Sequence, residues 1–150
     1  MRMKRDKASI AEIIIWVAVS ITIVVLSLVS GSQIQVAAAI SDKIQHLGAY
    51  AVLGFLSFAA VRSLNLPGSR NILLAGLWSL GYCTVMGGLL ELLQQLTGRF
   101  PDIVDFAADA GGAFIGISFS WIVLRLYQLF IKKAGRGLTD EKETTVHRSN

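Results

Sequence analysis

The sequence predicts an all-α membrane protein, a bundle of four transmembrane helices with both termini cytoplasmic. Charged residues make up 16% of its 150 residues and hydrophobic residues 53%, with a mean hydropathy of +0.59. An ordinary soluble domain carries roughly 25% charge. The apolar residues also run in long blocks, where a soluble amphipathic helix would place them every three or four positions. The third observation is that the cationic residues collect in alternate flanks of these blocks.

Crossing about 30 Å of hydrocarbon takes about 20 helical residues. Four stretches qualify: Ile10 to Ser30, Ile44 to Val61 with His46 near its start, Ile72 to Leu90 without a formal charge, and Phe106 to Ile131 with Asp109 and Arg125. Helices are required, because isolated strands would leave backbone donors and acceptors unpaired in lipid. Residues 1–9 then form a basic tail, 10–131 the membrane domain and 132–150 a flexible tail containing Gly135 and Gly137. No 20- to 50-residue repeat is evident. Cys83 is the single cysteine, so no internal disulfide forms.

Lys and Arg are retained on the cytoplasmic side. All of the fourteen Lys and Arg residues except Lys43 and Arg99 fall in the two tails, in the second connection beside Arg62 and Arg70, or at Arg125 near the end of the fourth span. Both termini are therefore expected inside. This use of the +4 net charge leaves no argument for nucleic-acid binding. A signal peptide cleaved at Ala37-Ala38-Ala39 competes for the first span, but the apolar run is longer than the 7 to 15 residues usual for such peptides. An uncleaved anchor is the favoured reading.

With that topology, one outward face gathers Asp42, Lys43, His46 and Tyr50 with Glu91, Gln94, Gln95, Arg99, Asp102, Asp105 and Asp109. Asp42, His46 and Tyr50 are four apart and share one side of the second span. Asp102, Asp105, Asp109, Gly112 and Gly116 form one stripe of the fourth, ending in the small-xxx-small spacing that lets helix backbones approach. Asp109 lies about 10 Å beyond Asp102 along the helix. A carboxylate at that depth costs a few kcal/mol unless it is paired, protonated or hydrated. Five carboxylates face two fixed cations, so some must be solvated, share a proton, use protonated His46 or bind a cation. Simpler roles compete: Asp102 and Asp105 as helix-capping acids, Ser41 or Asp42 as a cap, Arg99 pairing with Glu91 or Asp105, and Gln94 and Gln95 as interhelical hydrogen bonders.

Walker loops, nucleophile elbows, dinucleotide fingerprints and His-rich metal spacings are absent from the sequence. A zinc site is disfavoured, whereas oxygen ligation of a hard cation stays open. No cofactor or metal is expected. Candidate acid or base residues are His46 and Glu91, with Arg99 to orient a phosphate or carboxylate and Asp105 to orient the histidine.

Asp42-Lys43-x-x-His46-x-x-x-Tyr50, Glu91-x-x-Gln94, Arg99-x-x-Asp102-x-x-Asp105 and Gly112-x-x-x-Gly116, taken in order, resemble the VanZ-like membrane proteins, named for a teicoplanin-resistance protein. The resemblance covers about half the chain, from Asp42 to Gly116. It departs at Asp109, where asparagine is the expectation, which raises the question of whether position 109 titrates or hydrogen-bonds as a neutral group would. The resemblance implies a multi-pass protein of the bacterial cytoplasmic membrane with an envelope role, and in the name-giving case reduced susceptibility to a glycopeptide antibiotic. Partners would be membrane lipids, lipid-linked cell-wall or polysaccharide precursors, or an amphiphilic antibiotic. An intramembrane enzyme acting on an envelope lipid or glycan precursor is the alternative. An ion-coupled transporter ranks below it, since no inverted repeat is seen.

In a Cys83→Ser background, the substitutions His46→Cys and Arg99→Cys are expected to react with impermeant thiol reagents from one side of the membrane. Labelling from opposite sides would rule out a shared site.

Overall fold

Without water in the hydrocarbon to bond them, backbone polar groups must be satisfied within each segment, and the described chain is correspondingly helical. The computed structural model describes residues 7–29, 38–64, 67, 68, 70–96 and 103–148. They form α1 (Lys7–Val29), α2 (Ala38–Ser63), α3 (Ile72–Leu96) and α4 (Ile103–Arg148). Each contains a segment long and apolar enough to cross a membrane: Ser9–Leu28, Lys43–Ser63, Ile72–Leu96 and Ile103–Lys132. The last two extend past the expected ends at Leu90 and Ile131, so Glu91 and Gln94 belong to the third span. The protein is thus a multi-pass helical membrane protein.

Two compact units divide the chain, Met1–Ser120 and Trp121–Asn150. In the first, α2 is the most enclosed helix, with 39% of its span buried against 22% for α3 and 11% for α1. Tyr50, Leu53 and Phe58 of α2 are buried, as are Cys83 and Leu90 of α3, Ile23 of α1 and Ala113 of α4. Large apolar side chains such as Ile14, Ile21, Leu73 and Phe114 point outward, as a lipid-facing surface requires. Several hydroxyls in the spans find acceptors: Tyr82 OH donates to Ser20 Oγ at 2.9 Å, and within their own helices Ser20 Oγ donates to the Trp16 carbonyl at 2.8 Å and Ser79 Oγ to the Ala75 carbonyl at 2.8 Å. Such back-bonding satisfies a polar group where water cannot.

Direction follows from the contacts. The start of α2 meets the start of α4 at Lys43 and Asp105, Gln94 near the end of α3 meets Ser27 near the end of α1, and Ser63 at the end of α2 bonds Glu12 near the start of α1. Hence α2 and α4 run parallel to each other, and α1 and α3 run the opposite way. Asn71 caps α3, its Oδ1 accepting from Leu73 N at 2.9 Å. The preceding turn uses Gly68 at φ 75°, a left-handed conformation open to glycine.

The seam between α2 and α4 is backbone against backbone. A Cβ on Gly112 would meet the Leu47 carbonyl, one on Gly116 the Ala51 carbonyl, and one on Gly54 the Ala113 carbonyl. The close approach read from the Gly112 to Gly116 spacing is present, and Gly54 contributes the reciprocal notch from α2.

The second unit holds the later part of α4. There Arg125 lies over the Trp121 ring at 6.0 Å, and Leu126, Tyr127, Leu129 and Phe130 are exposed. The backbone is helical through the region expected to form a tail, as far as Arg148. Extending an existing helix avoids the nucleation cost that a free polar segment would face.

Gly116→Leu is expected to destabilise the protein by at least about 1–3 kcal/mol through overpacking. Gly111→Ala, whose Cβ would meet nothing within 4 Å, should be neutral or gain up to about 1 kcal/mol of helix propensity. Denaturant titration of the reconstituted protein measures both, and equal effects would contradict the backbone seam.

Candidate functional site

Parallel helices in close contact bring residues of matching depth together, and the α2–α4 seam does this with two polar pairs. Nearest the helix starts, Lys43 Nζ donates to Asp105 Oδ1 at 3.0 Å. One turn deeper, His46 Nδ1 lies 2.9 Å from Asp109 Oδ1. The steps of three residues on α2 and four on α4 both amount to about one helical turn, so the rungs stay in register. Enclosure increases with depth. The side chains of Lys43 and Asp105 are 35% and 11% exposed, those of His46 and Asp109 14% and 3%.

An ionised Asp109 can only accept, so it would make Nδ1 the protonated nitrogen of a neutral His46. The same geometry suits an asparagine, whose side-chain oxygen accepts equally well. Asp109 thus keeps the acceptor role that the expected asparagine would play, while adding the capacity for charge.

Below this pair lies Tyr50. Its hydroxyl is buried beside Asp109 and, among the described residues, has no partner in hydrogen-bond geometry. Gly87 of α3 closes the site from the other side. A Cβ there would come within 2.9 Å of Asp109 Oδ2 and 3.3 Å of Tyr50 OH. One turn further along, Cys83 is buried next to Ser57. The polar residues therefore form a narrow column descending from Lys43 between α2, α3 and α4. Gln94 is also buried and donates from Nε2 to the Ser27 carbonyl at 3.1 Å, fastening α3 to α1. Glu91 is half-buried at the same end.

Several of the sequence-derived candidates converge here. Lys43, His46, Tyr50, Asp105 and Asp109 lie along the α2–α4 seam, with Glu91 and Gln94 at the same end of α3. One role is corrected: Asp105, expected to orient the histidine, instead binds Lys43, and Asp109 takes that place. The reason is register, since His46 lies a turn below Lys43 and meets the carboxylate a turn below Asp105. Asp42 lies in α2, but its side chain, like Arg99 and Asp102 as a whole, falls outside the described residues. Gln95 is exposed. Among the described residues, no group of three His, Cys, Asp or Glu side chains is placed to hold a metal ion.

Sequence reasoning missed Gly87 and the Ser57–Cys83 neighbourhood. A signal was available: Ala75, Ser79, Cys83 and Gly87 are small, four apart and buried on one face of α3, the pattern of a close helix contact in lipid.

No family model matches the chain, and no match is found among curated proteins or solved structures. The class is therefore defined by fold and site: a multi-pass helical membrane protein with a buried polar column entering from one end.

Interhelical hydrogen bonds in lipid contribute about 0.6 kcal/mol on average and up to about 1.7. A double-mutant cycle with His46→Ala and Asp109→Ala should give a coupling near the top of that range. The cycle with Lys43→Ala and Asp105→Ala should fall well below it, because the Lys43 ammonium is partly solvated. The reverse order would refute the assigned depths.

Proposed function

We propose that the protein is a VanZ-like component of the bacterial cytoplasmic membrane, with both termini inside and the Lys43 end of the bundle facing outward. That end binds the polar head of an amphiphile, either a lipid-linked cell-wall or polysaccharide precursor or a teicoplanin-type glycopeptide, and lowers susceptibility to the antibiotic. The observation carrying this reading is the pair of stacked contacts, Lys43–Asp105 and His46–Asp109, at one end of the bundle. The glycine seam already supplies close packing between α2 and α4, and ionisable residues inside a membrane are costly and characteristically functional. Donors and acceptors at headgroup depth suit a sugar, phosphate or peptide head. The motif order from Asp42 to Gly116 supports the envelope assignment.

A second reading rests on His46, Asp109 and Tyr50. A histidine held by a carboxylate, with a buried phenol beside them, has the base-and-orienter arrangement of general acid–base catalysis. On this reading the amphiphile is a substrate, an envelope lipid or glycan precursor, and His46 moves its proton.

Expression in a teicoplanin-susceptible host should raise the inhibitory concentration. His46→Ala and Glu91→Ala, at matched membrane levels, should return it to the empty-vector value. Unchanged susceptibility and envelope composition with the intact protein would overturn the proposal. Lipid and peptidoglycan-precursor profiles of the same strains separate the two readings: altered pools that require His46 indicate catalysis, and unaltered pools with altered susceptibility indicate binding.

A further inference from the structure

At the opposite end of the bundle is a feature the polar column does not use. A cleft of about 750 Å³ opens between α1, the end of α2 and the first half of α3, with Trp16, Val61, Leu64, Leu77, Trp78 and Tyr82 among its walls. Its volume is that of a small-molecule site, for which about 300–1,000 Å³ is usual. The Trp16 and Tyr82 rings pack 4.8 Å apart at 59° and brace α1 against α3. Gly81 also lines the cleft, and a Cβ there would meet nothing within 4 Å. Most of the walls fall within the membrane-spanning segments, so hydrocarbon rather than water is available to fill the space.

The rim has the opposite chemistry. Arg62 follows Val61 directly, its guanidinium lying 5.9 Å from the centre of the Phe58 ring and its Nη1 donating to the Arg70 carbonyl at 3.3 Å. The turn between α2 and α3 thereby brings the Arg62 side chain to the backbone of Arg70 at the end of α2 and just before α3. Glu12, a carboxylate at this end, accepts a hydrogen bond from Ser63. An apolar slot at a bundle end that carries Arg62 and Arg70 matches one molecular shape: acyl chains joined to a phosphate. Guanidinium is well suited to phosphate oxygens, and a net negative headgroup is attracted to two cationic residues where a zwitterionic one brings its own cation.

We propose that this cleft is a binding site for an anionic phospholipid of the surrounding bilayer, with an acyl chain between Trp16 and Trp78 and the phosphate on Arg62 and Arg70. The site is independent of the polar column and of its proposed role.

The three tryptophans provide the readout, since Trp121→Phe leaves Trp16 and Trp78. The full chain carrying that substitution is reconstituted in phosphatidylcholine vesicles containing a fixed fraction of brominated-chain phosphatidylglycerol or brominated-chain phosphatidylcholine. The anionic lipid should quench the fluorescence at lower mole fraction, and its advantage should fall about fivefold per arginine on Arg62→Gln and Arg70→Gln. Gly81→Leu, which fills open space, should weaken quenching by both lipids. Equal quenching by the two lipids, an advantage that survives loss of both arginines, or quenching unaffected by Gly81→Leu would each overturn the proposal. The last of these, with the headgroup preference intact, would mean that phosphate attraction occurs without a chain in the cleft.

Discussion

The arrangement depends on the backbone contact between α2 and α4. In lipid the hydrophobic effect does not press helices together, because the tails are as apolar as leucine; dispersion and interhelical hydrogen bonds must do it. Both act at short range. Gly112 and Gly116 place α4 against the carbonyls of Leu47 and Ala51, and Gly54 receives Ala113. That approach lets the His46 ring reach Asp109 at 2.9 Å and Lys43 reach Asp105 at 3.0 Å. Side chains in place of the glycines would separate the helices by more than these contacts can bridge.

The polar column in turn limits what α3 can present to the seam. Asp109 and Tyr50 take up the space where a side chain at position 87 would lie, and the small residues continue along that face through Cys83, Ser79 and Ala75. One helix supplies room while the other two supply the chemistry. Burial then grades the pairs: Lys43 stays partly exposed, whereas His46 and Asp109 are largely enclosed. Because the electrostatic cost of such groups rises with depth, the deeper pair is the one for which packing alone is the weakest explanation.

Much of this was legible in the sequence, for reasons specific to membranes. Uninterrupted apolar runs identify spans because lipid imposes one length and one backbone conformation. The spacing Asp42, His46, Tyr50 and the spacing Asp105, Asp109, Gly112, Gly116 each mark a helix face, because a helix has a fixed period. The extent of α4 was less legible. Gly135 and Gly137 signal a break, but a helix already formed by the span before them can propagate through weak positions.

The sequence by itself determined the class of the protein, the four segments long and apolar enough to cross a membrane and the residues that share each face, since all three follow from local periodicity and from the demand that lipid makes on every backbone group. Only the tertiary structure decided which carboxylate meets which base. That choice depends on the relative register of two helices far apart in the chain, set by where glycine notches meet facing carbonyls. Asp109 rather than Asp105 therefore holds His46, and Gly87 becomes part of the site although nothing in its own side chain announces it.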